Sequence, residues 1–286
     1  MITKRDLAET LHLSCVENYF LAWLGKVYDI ANLYGNSFIG VGKLFDDFCH
    51  GATYESYHQI PRIQEIAEKY GIVKHEYQRC SAKESLRLLR EQTQSTLCLV
   101  RVNANFFASY KRAAWREDHY ICIDKDLFWL NQYPLSQGKY EYEQFCRVFD
   151  GSILLFKLDN LSVEPPDLMT DAICEQKFEK IQLPKELNAI ESAIGILRIT
   201  RKRMAEYYSS DEALLPLFER ETKLLDEIYF LLRMMQIKGI ESERKEEVLR
   251  QKILRKLEIP LQSVYLSEQK IREVLRNERV GCETKD

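Results

Sequence analysis

Eight cysteines, at positions 15, 49, 80, 98, 122, 146, 174 and 282, are scattered over 286 residues, and the neighbours of one set it apart from the rest. Cys15 belongs to Ser14-Cys15-Val16-Glu17-Asn18, after which Phe20, Trp23, Leu24 and Val27 recur at helical spacing. A helix starting there holds the thiol at its N-terminus. The macrodipole and free backbone N–H groups at that end favour a thiolate and offer donors to an oxyanion, two of the needs of a cysteine nucleophile. The other seven cysteines are expected to be small buried hydrophobes. None of the eight forms a CxxC pair, which speaks against a zinc knuckle, an iron–sulfur site or a dithiol redox centre. No HxxxH or HxxE spacing supplies metal ligands either, so neither metal nor cofactor is expected.

The remaining need is a base. His119 opens the apolar run His119-Tyr120-Ile121-Cys122-Ile123, and a second run, Leu127 to Leu130, ends in Asn131-Gln132. These read as an antiparallel hairpin. If Asp124 to Asp126 make the turn, His119 stands directly opposite Asn131, whose carboxamide then orients the imidazole. If only Lys125-Asp126 turn, Gln132 faces His119 and Asn131 points to the other side. The first register is preferred. His12 lies three residues before Cys15 and could line the same site, although such a position is commonly solvated. His50, His58 and His75 receive no role.

The elements that position these residues fall into two textures. Residues 1–170 hold 25 of the 32 Phe, Trp and Tyr, and eight of the eleven glycines precede Pro165-Pro166, where the domain boundary is placed. Before it, helices are expected over about 14–30, 61–70 and 81–94, the last with a Ser81/Glu84 capping box. Strands are expected at Leu97–Val102, Tyr120–Ile123, Leu127–Leu130 and Ser152–Leu158, which makes residues 1–165 an α+β domain. Residues 166–286 read as a helical bundle. Leu187, Ile190, Ile194, Leu197 and Met204 share one face, Leu214 to Met235 give a broader stripe, and further helices run about 241–257 and 267–279, with Gly239 and Pro260 as punctuation. Arg201-Lys202-Arg203 reads as a solvated polar face.

Composition narrows the function. A net charge of −3 provides no cationic footprint for duplex nucleic acid. No run of some 18 uncharged apolar residues suggests a membrane span, and the first residues lack a signal-peptide core. A soluble, cytoplasmic protein with free thiols is expected.

The order of a helix-opening Cys, a strand-borne His and a polar residue on the next strand resembles the papain-like cysteine enzymes, bacteriocin-processing peptidases included. It most closely resembles the N-terminal domain family named for butirosin biosynthesis protein H. The resemblance spans roughly residues 10–160 and rests on an ordered set. After Ser14-Cys15-Val16-Glu17-Asn18 come the Gly-rich Gly35 to Gly42, the strand Leu99-Val100-Arg101-Val102-Asn103, the aromatic Phe106 to Tyr110, and His119-Tyr120. The chain departs from that family in having Asn103, and Asn131 or Gln132, where Asp is usual. Glu9 and Thr10 stand near the place of the papain-type glutamine, so the Cys15 N–H and a nearby side chain are left to form an oxyanion hole. A neutral orienting residue holds the histidine tautomer but stabilises an imidazolium less than a carboxylate does.

The resemblance implies a papain-like fold and acyl transfer through a cysteine thioester, as the named member moves an aminoacyl chain from an acyl carrier protein onto an aminoglycoside amine. An acyltransferase of natural-product biosynthesis is expected, with Cys15, His119 and Asn131 as catalytic residues, a carrier protein as donor and a small-molecule acceptor. A peptidase or amidohydrolase on the same fold is one alternative and a non-catalytic scaffold another. The helical half packs on its own core; covering the cleft, docking the carrier and making a homodimer interface are further roles open to it.

Overall fold

The computed structural model describes residues 2–58, 71–93, 95–103, 105–106, 119–133, 135–158, 183–184, 186–239 and 246–283. The expected helix over 61–70 and the expected boundary at Pro165-Pro166 lie outside the described residues. In chain order the elements are α1 (Lys4–Ala8), α2 (Cys15–Leu24), α3 (Ala31–Tyr34), a 3-10 turn (Gly35–Ser37), α4 (Val41–Cys49), α5 (Glu55–His58), β1 (Ile72–Tyr77), α6 (Ala82–Arg90), β2 (Thr96–Val102), β3 (His119–Ile123), β4 (Phe128–Asn131), β5 (Ser136–Lys139), α7 (Tyr142–Val148), β6 (Phe149–Leu158), α8 (Leu187–Tyr207), α9 (Leu215–Gly239) and α10 (Glu246–Glu283). The chain divides into two compact units, Met1–Ile30 with Ile63–Glu164 and Ala31–Arg62 with Pro165–Asp286. Residues 31–62 thus belong with the helical half.

The first unit is built on an antiparallel six-stranded sheet in the order β1-β6-β2-β3-β4-β5. Apolar residues alternate across it. Cys98, Val100, Val102, Ile121, Ile123, Ile153 and Leu155 face one core with Leu89 of α6 and Phe145 of α7. On the other face α2 packs on β2 and β3, its Phe20 ring lying 5.1 Å from that of Phe156. Glu17 to Leu24 are buried on every side of α2, so the helix is held as an interior element.

The β3–β4 hairpin corrects the expected register. Its turn is longer than three residues: Asp124 N–H donates to Phe128 O (3.0 Å), Asp124 Oδ1 accepts from the N–H groups of Asp126 and Phe128 (both 2.9 Å), and Leu127 sits at φ 61°. Leucine seldom adopts that left-handed conformation, and here the Asp124 side chain closes the loop around it. Cys122 therefore pairs with Leu130 and Ile123 with Trp129. Continuing this register sets Asn131 two residues along from a position directly opposite His119. A two-residue offset preserves the face, so Asn131, and not Gln132, shares His119's side.

In the second unit α8, α9 and α10 pack successively, and α3, the 3-10 turn and α4 pack on α8. Phe38 lies in the same core as Met204, Leu214, Phe218, Ile271 and Leu275. Pro260 does not break α10 as expected; it lies inside a helix of 38 residues. An interior proline costs ~3 kcal/mol. Leu257, Leu261, Val264, Ile271 and Leu275 continue one buried stripe through it, and each is worth ~1.5–3 kcal/mol when fully buried.

Arg201 and Arg203 also depart from expectation, since both are fully buried and only Lys202 reaches solvent. Arg201 Nε donates to Glu221 Oε2 (2.5 Å), its Nη2 donates to Glu268 Oε1, and its guanidinium lies 4.2 Å over the Phe38 ring. Arg203 Nη1 donates to Ser37 Oγ at 3.3 Å. Glu268 accepts the Val41 N–H with both oxygens, at 2.9 and 3.1 Å, which ties the start of α4 to α10. Opposite charges and ring faces from distant parts of the chain make these arginines interior residues.

Candidate active site

Local sequence fixes where α2 begins. Ser14 Oγ accepts the Glu17 N–H at 3.2 Å, and the buried Glu17 carboxylate reaches back to the Leu13 N–H. Thr10 Oγ1 donates to the buried Asn18 Oδ1. These bonds satisfy helix-terminal donors and hold the preceding chain. Cys15 is consequently the first residue of α2, half-buried, and α2 packs on β3, the strand that His119 opens.

His119 is 7% exposed and Asn131 is fully buried. His119 Nε2 donates to Asn131 Oδ1 at 2.6 Å. An amide oxygen only accepts, so this bond selects the Nε2–H tautomer and leaves the basic lone pair on Nδ1. Phe106, itself buried, lies near-parallel to the imidazole at 6.4 Å between ring centres and meets Trp129 edge-on at 5.4 Å. Burial pushes His119 below the usual imidazole value, and the Asn131 bond only partly opposes it. Burial likewise pushes the Cys15 thiol up, more than nearby backbone N–H groups pull it down. The thiol and the imidazole each rest in the neutral form. The thiolate expected from the helix terminus alone is overridden because desolvation is the larger effect.

The other sequence candidates go elsewhere. Gln132 turns to His12, whose Nε2 its amide meets, while His12 Nδ1 lies 3.2 Å from Thr10 O. Asn103 donates to Arg147 O (2.8 Å) and accepts from the Asn105 N–H (2.9 Å), closing the end of β2. Glu9 is exposed and paired with Arg5. His50 lies in the helical unit against Asp46 O at 2.8 Å, His58 ends α5, and His75 is exposed on β1. Of the cysteines whose side chains are described, only Cys98 and Cys122 are buried; Cys49 and Cys146 are exposed. Burial pushes Cys122 up to about 12 and Cys98 well above the thiol range. Among the described residues no three His, Cys, Asp or Glu gather as metal ligands, and no helix is long and apolar enough to cross a membrane.

Two contributors received no role in the sequence reading. Phe106 gives the imidazole its apolar wall. Tyr19, four residues after Cys15 on α2, donates from Oη to Leu130 O (3.2 Å) and accepts there from the Gln132 N–H (2.9 Å). Its i+4 spacing from Cys15 was readable, but its partners more than a hundred positions away were not. A cavity of about 490 Å³ at the far end of α2 is lined by Trp23, Lys26, Leu97, Cys98, Cys122 and Ile123, among others, and includes none of Cys15, His119 and Asn131. Neither protein-family models nor curated proteins match the chain.

Proposed function

We propose that this protein is a cysteine-dependent acyltransferase on a papain-like scaffold, taking an acyl group from a carrier-protein thioester and passing it to an amine. The observation that carries the reading is the bond from His119 Nε2 to Asn131, in a sheet whose β3 packs against α2, the helix that Cys15 opens. It supplies a nucleophile, a base in its basic tautomer on the remaining nitrogen, and an orienting carboxamide.

His119 Nδ1 takes the Cys15 proton as sulfur bonds to the thioester carbonyl carbon. The carbon–sulfur bond to the carrier breaks, and the carrier thiol leaves with that proton. An amine then attacks acyl-Cys15, gives its proton to Nδ1, and the returning proton regenerates the thiol. The N–H groups of Cys15 and Val16 at the start of α2 are donors suited to the oxyanion. The neutral resting forms favour a thioester over an amide, since exchange between thioesters is nearly isoenergetic and needs no preformed thiolate.

The test is incubation with a panel of acylated carrier proteins and intact-mass measurement. The expected result is one acyl adduct per chain, absent in Cys15→Ala. Labelling of Cys15 that His119→Ala leaves unchanged, with no adduct from any carrier, would overturn the reading in favour of a non-catalytic role.

A further inference from the structure

We infer that Tyr19 is a positioning residue that holds the Asn131 carboxamide, and through it the tautomer and orientation of His119, in register with Cys15. This rests on the assignment of Cys15 and His119 as nucleophile and base. The β3–β4 ladder has only two residue pairs, Cys122 with Leu130 and Ile123 with Trp129. Asn131 lies beyond it on the β3 side, and the peptides around Asn131 are tied by Tyr19. Its hydroxyl donates to the carbonyl before Asn131 (Leu130 O, 3.2 Å) and accepts from the amide after it (Gln132 N–H, 2.9 Å).

The same helix carries Cys15 one turn earlier. A circuit therefore closes: Cys15 to Tyr19 through α2, Tyr19 to the two peptides around Asn131, Asn131 to His119 Nε2, and β3, which His119 opens, back to α2 through their packing. Within it the hydroxyl must donate and accept at once, which a phenolate cannot do. Burial, the largest influence on it, pushes Tyr19 well above the usual phenol range and keeps the proton in place. Tyr19 is also wholly buried, and just past Asn131 the Gln132 side chain is linked to His12.

The decisive measurement is the imidazole 15N spectrum of His119 in the full chain, read beside the rate of acyl loading and the unfolding temperature. In the natural protein the expected spectrum is that of the Nε2–H tautomer. Tyr19→Phe keeps the ring and removes the hydroxyl. We expect a mixture of His119 tautomers and a fall in acyl loading of ~10-fold, since small misplacements of reacting groups cost that much or more. In an Asn131→Ala background the same substitution should change neither quantity further, because it acts through Asn131. An unchanged tautomer and rate in Tyr19→Phe, with only a lower unfolding temperature, would overturn the inference. So would an undiminished effect in the Asn131→Ala background. Should Tyr19→Phe not fold, Gln132→Pro deletes the donor to Tyr19 Oη and is read by the same spectrum. The spectrum does not depend on turnover: a chain that accepts no acyl group yet loses its tautomer in Tyr19→Phe refutes the enzyme reading and upholds the positioning.

Discussion

His119 and Asn131 in the sheet unit, and Arg201, Glu221 and Glu268 in the helical unit, are all polar groups taken out of water, yet the two regions solve that problem differently. The sheet unit uses neutral groups. His119 donates one hydrogen bond to an amide, and its burial acts against the charged form. The helical unit buries one guanidinium between two carboxyls, with Arg203 nearby. Burial pushes Glu221 up and Glu268 to about 8, against the pull of Arg201. Two carboxyls around one guanidinium therefore hold a proton near neutral pH. Oε1 of Glu221, which meets no hydrogen-bond partner, is its better seat, because both oxygens of Glu268 already accept from Val41 or Arg201. A neutral pair is cheap to bury and ready to exchange a proton; a charged cluster is costly to disturb and ties segments together. The first suits chemistry, the second assembly.

Substitution should separate the two. Cys15→Ala or His119→Ala should change catalysis most: His119→Ala is expected to slow acyl loading by ~10²–10⁴-fold, the span of general-base catalysis. Denaturant unfolding of that variant should show a loss of ~1–3 kcal/mol, the cost of leaving the buried Asn131 amide oxygen unpaired. Arg201→Ala should do the reverse, destabilising the helical unit by ~3–5 kcal/mol because it leaves carboxyls buried and unpaired. Urea unfolding followed by far-ultraviolet dichroism reads this, and a loss below about 1 kcal/mol would mean the cluster is not interlocked. Acyl loading after such a change should fall only as far as folded protein is lost.

Acidity should pull the regions apart as well. His119 has its folded value lowered, so its contribution is complete above the ordinary imidazole value of 6.5 and is lost as pH falls through the lower folded value. Glu221 and Glu268 have theirs raised, so their contribution is complete below the ordinary carboxyl value of 4.5 and is lost as pH rises toward about 8. Between pH 8 and 5 the helical unit should therefore gain stability while the sheet unit loses some below 6.5; amide exchange at residues of each unit is the check. Acyl loading should keep its plateau below pH 6.5 before falling, because the base stays neutral there. The smallest expected effect belongs to Gly35→Ala. A Cβ there would sit 2.8 Å from the Tyr207 ring, costing ~1–3 kcal/mol in the helical unit without touching loading.

What the sequence made legible follows the same division. β2 and β3 were readable as apolar runs, and the start of α2 as Ser14 before a periodic stretch. β5 was not, because Ser136-Gln137-Gly138-Lys139 has no apolar pattern and exists through its pairing with β4. Cys15, His119 and Asn131 could be picked out because the chemistry of each shows in its residue type and local element. The register between the last two was misjudged by the left-handed Leu127, a conformation that leucine does not advertise. Arg201 and Arg203 read as solvated because Glu221 and Glu268 lie 20 and 67 positions from Arg201, beyond any local window.

The assignment of residues 31–62 to the helical unit has a consequence for how the chain is made. Val41 N–H finds its acceptor in Glu268, 227 positions later, and Phe38 waits for Ile271 and Leu275. At ribosomal speeds of 5–20 residues per second that is a delay of roughly 10–45 s. For that interval an apolar stretch holding Leu44, Phe45 and Phe48 is already synthesised but has no core to enter, while every strand of the sheet emerges after it and before its partners. A stalled or truncated product, lacking residues 257–275, would leave that apolar segment without the core it enters in the folded chain.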